Sequence, residues 1–438
     1  MPYPVIPQFH AHADNLERYA QLRHEYGSKG VGKILDRADR ACREAVAALK
    51  RLPPSAKTRR NRPNALAVIR RLRPAGPRRM WNAIPPDFRD RLEGAFLARM
   101  AGCILGSPVE FTTIEHMESL AKDNREKFPP VDYWKEVPEG WRKRYEYSLR
   151  SDYTRGRMDG VPVDDDIAYT LLGLLILERY GPDFTVADVG RAWKKRLPIA
   201  CTAERVALDN LKKGIPARRA GAVENPYCEW IGADIRSDPW GYLAPGWPEK
   251  AAELAWRDAY LSHRREGIYG EMFFAAAISA AFAVDDPVEA LEIGLTEIPR
   301  DAGLAKAVKW ALAVSPRIRN YAQARAAVEK RFKGMHRVHT INNACLTVFG
   351  IAIGKKDVTR VIGETVAMGM DNDCTAATAG SLVGAVVGAR GVPARWTRPF
   401  RNKVHSYLRG PRIFKISDLL ARFERQAKRV FSAGTGEK

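Results

Sequence analysis

Two runs of acidic residues in this 438-residue chain each stand where an apolar helix should begin. The first is Asp164-Asp165-Asp166, followed by Ile167-Ala168-Tyr169-Thr170-Leu171. A helix N-terminus accepts one acid as cap and another in its first turn, because its free amides and dipole favour negative charge. Three adjacent carboxylates repel one another unless water or a hard cation with oxygen ligands neutralises them. Capping and metal binding both fit these residues. The second run, Asp371-Asn372-Asp373, precedes Cys374-Thr375 and the Ala/Gly-rich stretch 376–389. Its two carboxylates project close together, and the Thr375 hydroxyl adds an oxygen donor. A lone Asp-x-Asp before a helix reads more readily as a cap. Two such clusters in one helical chain are stronger, since each can supply half of a binuclear centre. Cations paired there, about 3.5–4 Å apart, would orient diol oxygens and activate a water. A third acid, Glu110, follows the small-residue segment Gly94–Gly106 across a short turn, and taken locally it is a solvated loop acid.

Other chemistry is poorly supplied. His10-Ala11-His12 lacks further ligands nearby, and there is neither a phosphate-binding Gly-x-x-x-x-Gly-Lys-Ser/Thr loop nor a Gly-x-Ser-x-Gly elbow. No cysteine has a paired base that would make it a nucleophile.

The elements that must position the acids are helical. Apolar residues recur at helical spacing in 91–106, 167–180, 248–263, 270–283, 301–314, 321–332, 341–353, 357–369 and 375–389, without period-two alternation between turn signals. Small residues such as Ala376, Gly380 and Gly384 allow helices to approach closely. The expectation is an all-α globule with loop insertions around 111–162 and 214–247. Ahead of it, residues 13–51 read as two helices broken near Gly27-Ser28-Lys29-Gly30, with Ile34, Ala38, Ala41, Ala45 and Leu49 on one face of the second. Residues 51–80 hold ten basic and no acidic residues, interrupted by five prolines, and read as a linker or arm.

Charge follows the same division. Lys and Arg number 72 against 51 Asp and Glu, a net +21. Residues 1–90 hold 19 basic and 8 acidic residues, and 386–438 hold 13 and 3, so the two ends carry the whole excess. Such ends could contact nucleic acid, an acidic partner or a polyphosphate, or simply keep the protein soluble. Aromatics are too sparse in 51–80 to support stacking on single-stranded bases. The six scattered cysteines lack a Cys-x-x-Cys pair, which argues against zinc ribbons and a disulfide framework and fits a reducing compartment. The N-terminus lacks the pattern of a secretory signal, and the longest apolar stretch, Phe273 to Val284, is too short to span a bilayer. A cytoplasmic protein without membrane association is expected.

Taken together, the segment Gly94 to Glu110, the Asp164-Asp165-Asp166 run and the Asp371-Asn372-Asp373 run resemble the signatures of the ADP-ribosylglycohydrolases, the group that includes dinitrogenase-reductase-activating glycohydrolase. The resemblance continues through Ile231–Arg236, Pro248–Ala259, Ser262-His263, Gly267–Phe273, His339–Asn343 and Val392–Trp396, covering roughly 88–400. It implies a compact orthogonal multi-helix catalytic domain over 88–400, between a basic extension and linker (1–87) and a basic C-terminal helix or tail (401–438). It further implies that Asp164, Asp165, Asp166, Asp371, Asp373 and Thr375 hold two magnesium ions, or manganese. Glu110 and Asp371 would act in catalysis, and Gly232, Asp234, His263, Tyr269 and Asn343 would contact substrate. Taken alone, His263 is better read as a histidine at a helix C-terminus. The implied activity is hydrolysis of the bond joining ADP-ribose, or a related ribosyl group, to an acceptor on a protein or small molecule. This chain departs from the family pattern at three places. Asp164 replaces a Thr or Ser, Cys374 replaces the last Thr or Ser ligand, and Cys103 replaces an Asp in the first helix. A thiol is a poor partner for magnesium, so the departures leave open a protein that binds ADP-ribose without cleaving it.

Overall fold

The computed structural model describes residues 3–137 and 151–435. Residues 138–150, part of the first expected loop insertion, lie outside the described residues, as do Met1, Pro2 and 436–438. The architecture is all-α. Among the described residues the single sheet is an antiparallel pair, β1 (Lys403–His405) and β2 (Ile413–Lys415), with Val404 opposite Phe414. No described helix is long and apolar enough to cross a membrane. All six cysteines are unpaired.

The chain divides into two units, 1–60 and 61–438. In the first, α1 (Phe9–Glu25) and α2 (Val31–Arg51) bury no residue, and Ile34, Leu35, Val46 and Leu49 of α2 are exposed. The second unit begins inside the stretch read as linker. There Ile69 is buried, Arg70 pairs with Glu253 at 2.9 Å, and Arg73 and Arg78 converge on the buried Glu297. Prolines keep this segment from forming one long helix, while the planar guanidinium forks find carboxylates on the globule.

Within the second unit the helices that build the site are α3 (Phe88–Gly106), α4 (Asp165–Tyr180), α5 (Thr202–Lys212), α6 (Glu266–Ala281), α7 (Thr340–Gly354) and α8 (Asn372–Val387), and α9 (Ile416–Thr435) follows the hairpin. Every residue of α6 and all of α8 except Val387 are buried, as suits helices that are apolar or small-sided on all faces. Helices α3 and α8 lie backbone to backbone, with Gly380 against Ala98 and Gly384 against Gly94. Gly106 decides where this packing stops. A Cβ there would sit 2.5 Å from the backbone N and Cα of Asp373, so the end of α3 and the start of α8 meet only because residue 106 has no side chain. The C-terminal α9 buries Leu419, Leu420, Phe423 and Val430, and the Phe423 ring packs at a tilt against Phe96 with centroids 6.1 Å apart.

Both regions read as loop contain helix. Thr113 caps Ile114–Asn124, and three short helical turns, Ala217–Ala220, Ile231–Arg236 and Asp238–Leu243, occupy the second insertion. Elements of four to eleven residues are too short to show a periodic apolar face.

Candidate active site

Asp164 is the N-cap of α4. Its backbone is extended, and Oδ1 accepts from the Asp166 amide at 3.1 Å. Its other oxygen accepts from the Ser107 hydroxyl at 2.8 Å, which ties the start of α4 to the end of α3. Capping and clustering therefore occur together, because the acid that caps is one of three. Beneath them lies Arg99, fully buried on α3. Its Nη2 donates to the Asp166 carbonyl at 2.9 Å, Nε to Thr170 Oγ1 at 2.8 Å and Nη1 to Asp238 at 2.6 Å. The guanidinium also stands 3.7 Å from Asp166 Oδ1, so one fixed positive charge offsets part of the cluster.

The second run is set by backbone strain. Gly369 and Met370 both take positive φ (68° and 65°) immediately before Asp371. The Met370 carbonyl accepts from the Phe111 amide at 3.0 Å, which brings Glu110 beside this turn. The Asp371 amide donates to Asn343 Oδ1 at 3.3 Å, while Asn372 turns inward to the Val366 carbonyl. Asp371 and Asp373 are thus left facing the first run. The thiol of Cys374 donates to Asp166 Oδ2 at 3.2 Å and joins the two clusters directly.

These acids open on a cavity of about 370 Å³ lined by Glu110, Phe111, Asp165, Glu204, Trp230 and Cys374 among others. A larger cleft, about 1050 Å³ between Asp285–Glu289, Ser315–Arg319 and Ala352–Arg360, has mixed charge and no convergent buried acids. The smaller cavity holds the chemistry. Burial and repulsion from Asp164 and Asp371 push the Asp165 carboxyl up to about 7, and burial pushes Asp371 up to about 6. Burial likewise raises Asp166 and Asp373 well above the usual carboxylate range. Asp166 Oδ1, Asp371 Oδ1, Asp373 Oδ1 and Thr375 Oγ1 are buried without a hydrogen-bond partner. Orphaned buried oxygens of this kind are costly unless a cation satisfies them. Among the described residues, three groups bring ligand atoms within 4.8 Å of one another: Cys103, Asp164 and Asp166; Asp166, Asp373 and Cys374; Glu110, Asp371 and Asp373. The donor set fits divalent metal.

The residues expected at the substrate separate. Gly232 lines the cavity, and its missing Cβ leaves room for Glu204, whose Oε1 would lie 2.1 Å from it. Asp234, His263, Tyr269 and Asn343 do not line it. Asp234 is buried against Gly270 and accepts from Thr340 at 3.3 Å. The His263 ring is fully buried beside the Ser262 hydroxyl at 2.8 Å, and burial with Arg236 and Arg264 holds its pKa well below the ordinary value. Tyr269 donates to the Pro63 carbonyl, which anchors the chain entering this unit, and Asn343 supports the Asp371 turn from behind. Each of the four makes a contact inside the fold, while Asp234 Oδ2 and His263 Nε2 are buried without a hydrogen bond among the described residues.

Several cavity residues gave no sequence signal. Glu204, on the first turn of α5, accepts from Arg236 at 3.1 Å, and Arg236 is shared with Asp258 and Glu271. Burial still raises the Glu204 carboxyl. Trp230 stacks on His336 at 4.2 Å and 10°, and the Arg337 guanidinium lies 4.6 Å over Phe111, so flat aromatic surfaces flank the acids. Tyr407, from the segment between β1 and β2, lies close enough to Asp165 and Asp164 for their charges, with burial, to raise its phenol. A first-turn Glu resembles any helix cap, and no local pattern connects 204, 230 and 407.

A family model described as ADP-ribosylglycohydrolase matches residues 84–429. Among solved structures, one described as an "ADP-ribosylglycohydrolase-related protein complex" is similar over 79% of this chain and 99% of its own, with a TM-score of 0.52 at 20% identity, a likeness that bears on the fold alone. No curated protein matches the sequence.

Proposed function

Since the chain belongs to the ADP-ribosylglycohydrolase family, we propose that it is a metal-dependent hydrolase of the bond between ADP-ribose, or a related ribosyl group, and its acceptor. The observation that carries this reading is the set of orphaned, buried oxygens on Asp166, Asp371, Asp373 and Thr375, drawn from two helix starts into one cluster, of which Asp371 and Asp373 line the cavity. Asp164, Asp165, Asp166, Asp371, Asp373 and Thr375 would hold the cations, magnesium or manganese. Bound there, such ions bind vicinal ribose hydroxyls and lower the pKa of water. Glu110, at the cavity edge, would orient the attacking water and accept its proton. The carboxylates of Glu110 and Asp371 would offset the positive charge that grows on the ribose carbon as the acceptor departs. Phe111 and Trp230 offer apolar faces to the flat parts of a nucleotide. The test is release of free ADP-ribose from a panel of ADP-ribosylated substrates in magnesium or manganese. Asp165→Ala with Asp373→Ala should abolish turnover and leave helicity intact, and metal-dependent turnover retained by that double variant refutes the reading.

A second reading, a protein that binds ADP-ribose without cleaving it, is favoured by one observation. Cys374 occupies a ligand position with its thiol turned to Asp166. Calorimetry with ADP-ribose beside the turnover assay separates the two, since tight binding without release supports the second.

A further inference from the structure

The two overlapping ligand groups at the cavity differ in kind. Glu110, Asp371 and Asp373 offer only carboxylate oxygen. Asp166, Asp373 and Cys374 offer two carboxylates and a thiol, all buried, with Asp373 common to both groups. The thiol is not turned away into the apolar core. Its sulfur is 3.2 Å from Asp166 Oδ2, and Cys374 lines the open cavity. Around it, Asp166 Oδ1, Asp373 Oδ1 and Thr375 Oγ1 are buried with no hydrogen bond among the described residues, and only Asp166 Oδ1 has a fixed charge near it, the Arg99 guanidinium at 3.7 Å, so oxygen ligands beside the sulfur are left for a cation to engage. Oxygen-only sites suit magnesium, whereas a thiolate selects a borderline transition ion such as zinc or cobalt(II).

We infer that the centre is chemically asymmetric, with Cys374 acting as a thiolate ligand to a thiophilic divalent ion that shares Asp373 with a neighbouring oxygen-only position. Binding breaks the S–H bond at Cys374, forms a sulfur–metal bond and releases the thiol proton to solvent, with no change of oxidation state. The second thiol, Cys103, sits on the far side of Asp166 with Asp164 and lies 3.9 Å from the Ser107 hydroxyl. It is absent from the cavity lining; Cys201 also lines the cavity but belongs to none of the clustered ligand groups among the described residues, so Cys374 is the thiol placed among the acids that an entering ion meets. This inference rests on the metal-binding part of the proposed function and is independent of the substrate.

The test adds cobalt(II) alone to the metal-free full-length protein and follows the near-ultraviolet sulfur-to-cobalt charge-transfer band. X-ray absorption of the zinc form reads the same contact as one sulfur scatterer at about 2.3 Å. The band should appear with the first equivalent, persist in excess magnesium and survive both Cys103→Ser and Cys201→Ser. It should vanish in Cys374→Ser and in Cys374→Thr, with cobalt affinity falling roughly tenfold or more, at least the loss usual for a disturbed ligand shell. Proton release on binding should fall by one per chain in those two variants. Bound cobalt without the band, or a band that survives Cys374→Ser, overturns the inference. Because both Cys374 variants carry a hydroxyl and are nearly isosteric, circular dichroism separates lost ligation from lost folding. Should either variant unfold, zinc absorption on the wild-type chain decides, and a shell of oxygen or nitrogen alone overturns the inference. ADP-ribose release in magnesium by a protein lacking the band removes this inference and leaves the proposed function standing. A band without release in any metal does the reverse.

Discussion

Raising the pH should destabilise the metal-free protein, and bound metal should remove that dependence. Burial and mutual repulsion lift Asp165 from 3.8 to about 7 and Asp371 from 3.8 to about 6. In the unfolded chain both titrate near 4, so between roughly pH 4 and 7 the folded state binds more protons than the unfolded one. The stability these groups contribute is full below about pH 4 and is lost as pH rises through about 6 and 7. A tenfold change in proton affinity is worth ~1.4 kcal/mol, which puts ionisation of Asp165 at ~4 kcal/mol and of Asp371 at ~3 kcal/mol. The two carboxylates repel each other, so the costs overlap, and ~4 kcal/mol is the larger single loss expected between about pH 3 and 8, of which roughly 3 kcal/mol falls between about pH 5 and 8. His263 works the other way. Its depressed pKa means that its contribution grows as pH rises. It is common to wild type and to an Asp165→Asn, Asp371→Asn variant, so the difference between them isolates the carboxylates. Thermal unfolding of both proteins, metal-free and in saturating magnesium or manganese, is the assay. At about 1–2 °C per kcal/mol for a chain this long, metal-free wild type should lose several degrees more than the variant across the window. With metal its curve should flatten. Parallel metal-free curves refute the claim that these buried acids hold protons in the absence of a cation.

Two further outcomes follow from the packing under the site. Arg99→Leu leaves Asp238 buried without its cation and frees the Asp166 carbonyl, so urea unfolding should show a loss of ~3–5 kcal/mol, against a smaller loss for Arg99→Lys. Gly106→Ala drives a methyl into the Asp373 backbone, so isothermal titration should show weakened metal binding alongside a stability loss of ~1–3 kcal/mol. An unchanged metal affinity there would mean that the α3–α8 contact does not position the ligand.

The helical fold was legible because its signal is local and repeated. Small and apolar residues recur through α3, α6 and α8, and no competing strand pattern interrupts them. The two acidic runs were legible for a related reason, since each is contiguous in sequence and needs only a helix start to aim it. The orientation of single polar residues was not legible: His263 and Tyr269, offered as substrate contacts by the resemblance, each make a contact inside the fold, His263 beside Ser262 and Tyr269 on the Pro63 carbonyl. Whether a polar side chain faces ligand or core depends on what packs over it, and those partners lie far away in sequence. The same reason hid Glu204 and Trp230, which line the cavity from separate segments, and Tyr407, whose phenol feels the charges of Asp165 and Asp164.

Gly232 shows how such a residue becomes intelligible only with its neighbour. The resemblance offers it as a substrate contact. In the structure its missing side chain makes room for a carboxylate, and that carboxylate shares Arg236 with Asp258 and Glu271. One guanidinium thus faces three acids on one side of the cavity, while Arg99 faces Asp166 and Asp238 on another. Positive charge is fixed behind the walls, and the acids at the centre are left to be neutralised by protons or by metal. A site built this way would exchange protons for cations on binding the proposed metal. The pH dependence of stability, and the proton released at Cys374, are therefore two readings of the same exchange, one at the carboxylates and one at the thiol.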